Sequence, residues 1–206
     1  MFRHGKRVLC TLAAITFLSA PAWASDIVLP APETSAGMGV LSALNNRHSA
    51  KAGDFPLHDV SRQELSTLLW AASGQNRQGK GWTVPFAMGK APYNTIYVLD
   101  RNGVFRYDWK QNRLNEISGQ DVRKKAGPQA IVGQSPVVFV FVADSGTKPD
   151  YAFIASGAMT QNIYLAAESL AIACRYVVSM DEASLRHVLK LKPDEKLLNL
   201  MLIGKK

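Results

Sequence analysis

An α+β domain is predicted by three observations on the chain. The stretch Tyr151–Val178 has few charges and no proline, and reads as one long helix followed by a short strand. Asn102-Gly103, the strongest short turn signal, joins Thr95–Leu99 to Val104–Tyr107 as a hairpin. Val137–Ala143 is apolar without interruption, which implies a strand buried on both faces. Helices and strands follow one another without an internal repeat, so the α+β pattern describes one unit.

The chain opens with a basic segment, MFRHGKR, then the apolar run VLCTLAAITFLSAPAW, then the small-x-small signal Ala22-Trp23-Ala24. This is the pattern of a secretory leader, residues 1–24, with cleavage expected after Ala24 and a periplasmic or secreted mature protein beginning at Ser25. Cys10 precedes most of the apolar core, where a lipidated cysteine is not expected, and there is no twin-arginine pair. The run is too short and too interrupted by Pro21 to persist as a membrane anchor, and no later segment has the length of a membrane span. The mature chain keeps one cysteine, Cys174, which excludes an internal disulfide and reads as a small buried hydrophobe. The leader holds Arg3, Lys6 and Arg7 and no acid, so the formal charge falls by three, from +8 to +5. The remaining basic residues are scattered, which argues against nucleic-acid binding and suits one anionic ligand or a solvated surface.

Ser25–Gly39 carries closely spaced prolines and glycines and is expected as an extended lead-in, lying on the surface or against a partner chain. The domain proper is placed at residues 40–206. A short helix, Val40–Asn46, runs into Arg47, His48, Ser49 and Lys51, whose clustered donors suit a phosphate. A solvated helix terminus is the competing reading. Ser61-Arg62-Gln63-Glu64 is a capping box, followed by Leu65, Leu68, Leu69 and Ala72 at helical spacing, which predicts a helix over Arg62–Ala72. The segment Gly74–Pro92 then reads as a long loop, unusual in a compact domain unless it serves a function. Asn112–Ile117 extends the hairpin, and Asp121–Ile131 suggests a helix broken at Gly127-Pro128.

In the long stretch, Phe153–Cys174 is apolar on nearly every face and rich in small residues, the pattern of a buried helix. Its polar residues Gln161, Asn162 and Glu168 must each satisfy a backbone group or face a ligand. A strand Tyr176–Ser179, a helix Glu182–Leu189 capped by Asp181 or Ser179, and a last strand Leu197–Ile203 complete the chain. There is no Rossmann glycine signature, no Walker loop and no metal-ligand cluster; His4, His48, His58 and His187 are isolated.

NRHSAK near the start, ELSTLLWAASGQNRQGKGWTVPFA in the middle, SGAMTQNIYLAAESLA in the long helix and the terminal IGKK resemble the FMN-dependent nitroreductase superfamily. The nearest branch is the single-domain proteins related to the dehydrogenases of peptide azoline maturation. The resemblance covers Leu29–Lys206. It implies a mostly antiparallel sheet of four to five strands surrounded by helices, a homodimer, FMN at the subunit interface, and hydride transfer from a donor such as NAD(P)H to a small-molecule acceptor.

The resemblance further implies that Arg47, Ser49, Lys51 and Lys205 hold the FMN phosphate and ribityl chain, with His48 in place of a second arginine. The family's Pro-Ser-Ala-x-Asn-x-Gln loop corresponds to Pro85-Phe86-Ala87-Met88-Gly89-Lys90-Ala91, which lacks the serine, asparagine and glutamine. Pro85, Ala87 and Gly89 then contact flavin through backbone groups, with Asn94 as a side-chain substitute. Glu168-Ser169-Leu170 stands where the family presents a backbone amide to flavin N5. No conventional acid–base residue is identified. A second function class stays open: a relative that has lost flavin and serves as a binding module, with Phe86 and Trp82 filling the vacated pocket as apolar surface.

Overall fold

The computed structural model describes Met1 and Ser25–Lys206; the expected leader therefore lies outside the described residues, apart from Met1. Nine strands and five helices follow in chain order: β1 (Ile27–Val28), α1 (Val40–Asn46), α2 (Arg62–Ser73), β2 (Gln75–Asn76), β3 (Gly81–Trp82), β4 (Asn94–Asp100), β5 (Gly103–Asp108), β6 (Arg113–Ser118), α3 (Ala130–Gln134), β7 (Val137–Ala143), α4 (Pro149–Ser169), β8 (Ile172–Val177), α5 (Glu182–Val188) and β9 (Lys196–Lys205). Seven of the strands form one sheet in the order β1-β6-β5-β4-β7-β9-β8, every pairing antiparallel. The expectation of four to five strands was too low. Short β1, placed in the lead-in, adds one edge, and β8, where a strand was expected over Tyr176–Ser179, forms the other.

The continuous apolar run of β7 has a direct structural cause. Its side chains alternate between two cores. Phe139 and Phe141 face α2 and α4, while Val138, Val140 and Val142 face α5 and the α3 segment, so helices cover both sides of the sheet. α2 starts as the capping box predicts: Ser61 accepts from the Glu64 amide at 3.2 Å and its own amide donates to the Glu64 carboxylate at 2.8 Å. Leu65, Leu68, Leu69 and Ala72 are all buried beneath it.

Several expectations shift. α4 ends at Ser169, not at Cys174, because Ala171 adopts a left-handed φ of 53° and turns the chain into β8. The strand accordingly starts at Ile172 rather than Tyr176. Burial of α4 is one-sided: Ala152, Ala155, Met159 and Ile163 are buried, while Phe153 and Ile154 are exposed. The hairpin turn sits at Arg101-Asn102, since Asp100 pairs directly with Gly103 and its carboxylate accepts from the Asn102 and Gly103 amides at 2.7 and 3.1 Å. The Gly74–Pro92 loop contains a two-stranded ribbon, β2 with β3, fixed where Asn76 donates to the Trp82 carbonyl at 2.9 Å. The broken helix near Gly127-Pro128 is a 3-10 turn, Arg123–Lys125, followed by α3. No helix among the described residues is long and apolar enough to cross a membrane.

Candidate functional site

α1 ends at Asn46, and the chain leaves it extended at Arg47. The next residues dock on the free edge of β8, where the Ala50 amide donates to the Cys174 carbonyl at 2.9 Å and Arg175 Nη1 donates to the Ala50 carbonyl at 2.9 Å. Tyr164, on α4, organises this segment. Its hydroxyl donates to Ser49 Oγ at 3.0 Å and accepts the Tyr176 amide at 2.9 Å, and its ring lies 4.8 Å from the Arg47 guanidinium carbon. A stacked guanidinium is held in orientation without consuming its hydrogen bonds. Arg47 Nε is buried and has no partner.

Beside this segment a cavity of about 440 Å³ is lined by His48, Lys51, Asp54 and Lys206 around Ala50 and Ala173. His48 Nδ1 donates to the Asn46 carbonyl at 3.1 Å, which leaves Nε2 free of that bond. Lys206 Nζ lies 3.1 Å from Glu168 Oε2. Lys205 points elsewhere: its ammonium pairs with Glu64 in the α2 capping box and donates to the Leu170 carbonyl at 2.9 Å. Burial pushes the Glu64 carboxyl up, but the Lys205 ammonium and the Ser61 amide and hydroxyl outweigh it, and the group sits below its ordinary value. Consecutive residues at a strand end project to opposite sides, so only one of the two terminal lysines can line the cavity. Lys206 does, and sequence reading did not single it out. Gly204 allows the arrangement, since a Cβ there would stand 2.1 Å from the Pro56 carbonyl oxygen.

Glu168 shares a small recess with His48, Ala50 and Lys206, and Ser169 next to it faces the lead-in. Ser169 Oγ donates to the Met38 carbonyl at 3.5 Å, and a Cβ on Gly37, whose φ is 111°, would come within 3.0 Å of the Ser169 side chain. The lead-in therefore straps the C-terminal end of α4. Asn162 takes the structural role, donating to the Ala71 and Thr83 carbonyls at 3.0 Å each.

Pro85, Ala87 and Gly89 are not part of this assembly. The Ala87 amide donates to Tyr93 Oη at 3.2 Å, and that hydroxyl donates to the Tyr151 carbonyl at 3.4 Å, which puts the loop beside the N-terminal end of α4. Glu168 stands seventeen residues further on, roughly 25 Å along the helix. Phe86 is not apolar surface: it is 4 % exposed and packs edge-on against Trp82 and Tyr93, with ring centroids 6.4 and 5.2 Å away. Asn94 does not offer a donor to a ligand either, because it is buried and its Nδ2 donates to the Ala152 carbonyl at 2.8 Å. Cys174 is buried and its thiol is pushed up by that burial, so it carries no nucleophilic role. No cluster of metal-ligating side chains occurs among the described residues.

The profile of the Nitroreductase family matches residues 44–205, which span Arg47–Lys51, α4 and β9 through Lys205. A candidate nitroreductase of Methanocaldococcus jannaschii is 30% identical over 167 residues, covering 71% of this chain and 82% of the relative. A crystal structure of a candidate nitroreductase from Ralstonia eutropha superposes with a TM-score of 0.78 at 31% identity, over 87% of this chain and 89% of that one. A chain of the Escherichia coli microcin synthetase McbBCD complex shares the fold, at a TM-score of 0.59 and 15% identity, over 97% of this chain and 85% of that one. With sheet, helices and relatives in agreement, the chain belongs to the nitroreductase family, and that membership supports an oxidoreductase-type function.

Proposed function

We propose that this protein is an exported FMN-dependent oxidoreductase that works as a homodimer. The observation that carries the reading is the basic cluster that follows α1: His48, Lys51 and Lys206 line one cavity, and the adjoining Arg47 is stacked on Tyr164 with a buried, unpartnered Nε. This donor set fits a phosphate: a guanidinium oriented by an aromatic ring for bidentate contact, with two ammonium groups as point charges. Arg47, Ser49, Lys51 and Lys206 would hold the phosphate end of FMN, and the Glu168–Ser169 backbone would border the ring system. When bound, the flavin supplies hydride acceptance from a donor such as NAD(P)H and hydride delivery to a small-molecule acceptor. The chain's own residues bind and orient; Glu168 keeps Lys206 at the cavity mouth, and Tyr164 keeps Ser49 and Arg47 in register.

The homodimer follows from two features. Leu41 and Leu44 on α1 and, separately, Phe153 and Ile154 in the first turns of α4 are exposed apolar residues, suited to cover by an isologous partner. The Pro85–Ala91 loop also lies too far along α4 for one flavin to meet it and the cationic cavity within a single chain. A second copy can supply it. Purification of the mature protein from the periplasm, followed by a visible spectrum, tests the proposal. Flavin absorption bands are expected, whereas a colourless protein that excess FMN cannot reconstitute would favour the flavin-less binding module. For export, residues 1–24 fused to a reporter should direct it out of the cytoplasm with cleavage after Ala24; a reporter retained in the cytoplasm would remove that part of the proposal.

A further inference from the structure

β4 pairs with β7 from Asn94 onward but with β5 only from Tyr97, so β4 and β5 part at one end of the sheet. A cavity of about 390 Å³ opens in the gap. Four charged side chains line it, Arg106, Lys110, Asp108 and Asp144, together with Trp109. None of the four pairs with another; the ion pairs among the described residues lie elsewhere.

Each side chain keeps free hydrogen-bonding capacity. Asp144 Oδ1 accepts from Thr95 Oγ1 at 2.6 Å, leaving Oδ2. Asp108 Oδ1 accepts the Lys110 and Gln111 amides, again leaving Oδ2. Arg106 makes one long contact with Thr95 Oγ1, at 3.4 Å, and also interacts with the Tyr97 hydroxyl, which leaves part of its fork for a ligand. Burial raises the Asp144 carboxyl, with the Thr95 hydrogen bond and Arg106 offsetting it in part, so this carboxylate is short of a cationic partner. Trp109 is fixed edge-on against Trp82, at 4.7 Å, with the Lys110 ammonium 5.3 Å from its ring centroid, and lines the cavity as an aromatic wall.

We propose that this cavity is a second binding site, for a small zwitterion of the α-amino-acid class. Arg106 and Lys110 take the carboxylate, the former as a fork. Asp144 and Asp108 take the ammonium, and the side chain lies against Trp109. The volume falls within the range of small-ligand sites, and none of the four charged residues belongs to the set assigned to the FMN phosphate, although Ala91 of the Pro85–Ala91 loop also lines the cavity.

Calorimetric titration of the mature protein with each of the twenty L-amino acids, and with ethylamine and acetate separately, tests this. Saturable binding of at least one amino acid is expected, with neither single-charge control binding at the same concentrations. Arg106→Gln and Asp144→Asn should each weaken that binding about ten-fold to a hundred-fold, the loss of one charge-assisted contact. Melting temperatures check that both variants fold. If Asp144→Asn does not, Arg106→Gln decides alone, since its side chain is exposed. The proposal is overturned if no amino acid saturates the wild type, if the controls bind as well, or if binding survives the variants unchanged.

Discussion

Tyr164 does three things with one side chain: it stacks under Arg47, holds Ser49 and satisfies the Tyr176 amide on the edge of β8. Tyr164→Phe keeps the stacking and removes both hydrogen bonds, leaving a strand-edge amide unpaired. A loss of about 1–3 kcal/mol in urea unfolding is expected, and an unchanged midpoint would mean that water replaces the hydroxyl. Glu64 divides its carboxylate between the α2 cap and Lys205. Because its folded-state value is depressed below that of an unfolded glutamate, its contribution is full above the unfolded value and disappears as pH falls through the folded-state value. Glu64→Gln should therefore cost on the order of 1 kcal/mol at pH 7, discounted for solvent screening, and the difference from wild type should shrink in acid. Urea midpoints at pH 7 and pH 3 measure it, and a difference that grows in acid contradicts the assignment. At this scale the sequence was only partly readable. The donors at Arg47–Lys51 announce themselves by type and spacing, but which terminal lysine meets the cavity depends on the register of β9, and Tyr164 looks like any aromatic in an apolar helix.

Elements whose signals are local were legible. α1 runs over the expected Val40–Asn46, α2 begins at its capping box, and β7 spans the expected Val137–Ala143. Those whose signals are not local were missed. β1 has two residues and exists only because β6 offers an edge, and β2–β3 depends on the Asn76 side chain closing the ribbon. The end of α4 was misplaced because the apolar pattern resumes straight after Glu168-Ser169 and runs into β8, where helix and strand periods cannot be distinguished. What stops the helix is Ala171, a non-glycine residue at φ 53°. A left-handed alanine is strained by roughly 1–2 kcal/mol, so Ala171→Gly should be neutral or raise stability by up to about 1 kcal/mol after the entropy cost of glycine. A destabilised variant would show that Ala171 contributes through packing instead.

Across the whole molecule, two regions expected to meet on one cofactor lie at opposite ends of α4, and the apolar faces of α1 and α4 are left uncovered. Both facts are explained if two copies associate through those helices. Ile154→Asp, at an exposed position, should leave the fold intact and convert the protein to monomer in light scattering at micromolar concentration; a dimer that persists would place the interface elsewhere. The central claim, that the His48–Lys51–Lys206 cavity with the adjoining Arg47 holds the phosphate of FMN, is tested most directly by fluorescence-quenching titration of FMN against the mature protein and against Arg47→Ala and Lys206→Ala. Saturable binding at one FMN per chain is predicted for wild type, weakened about ten-fold to a hundred-fold by Arg47→Ala and less by the more exposed Lys206→Ala. Wild type that never saturates, or Arg47→Ala that binds FMN as tightly as wild type, would contradict the account.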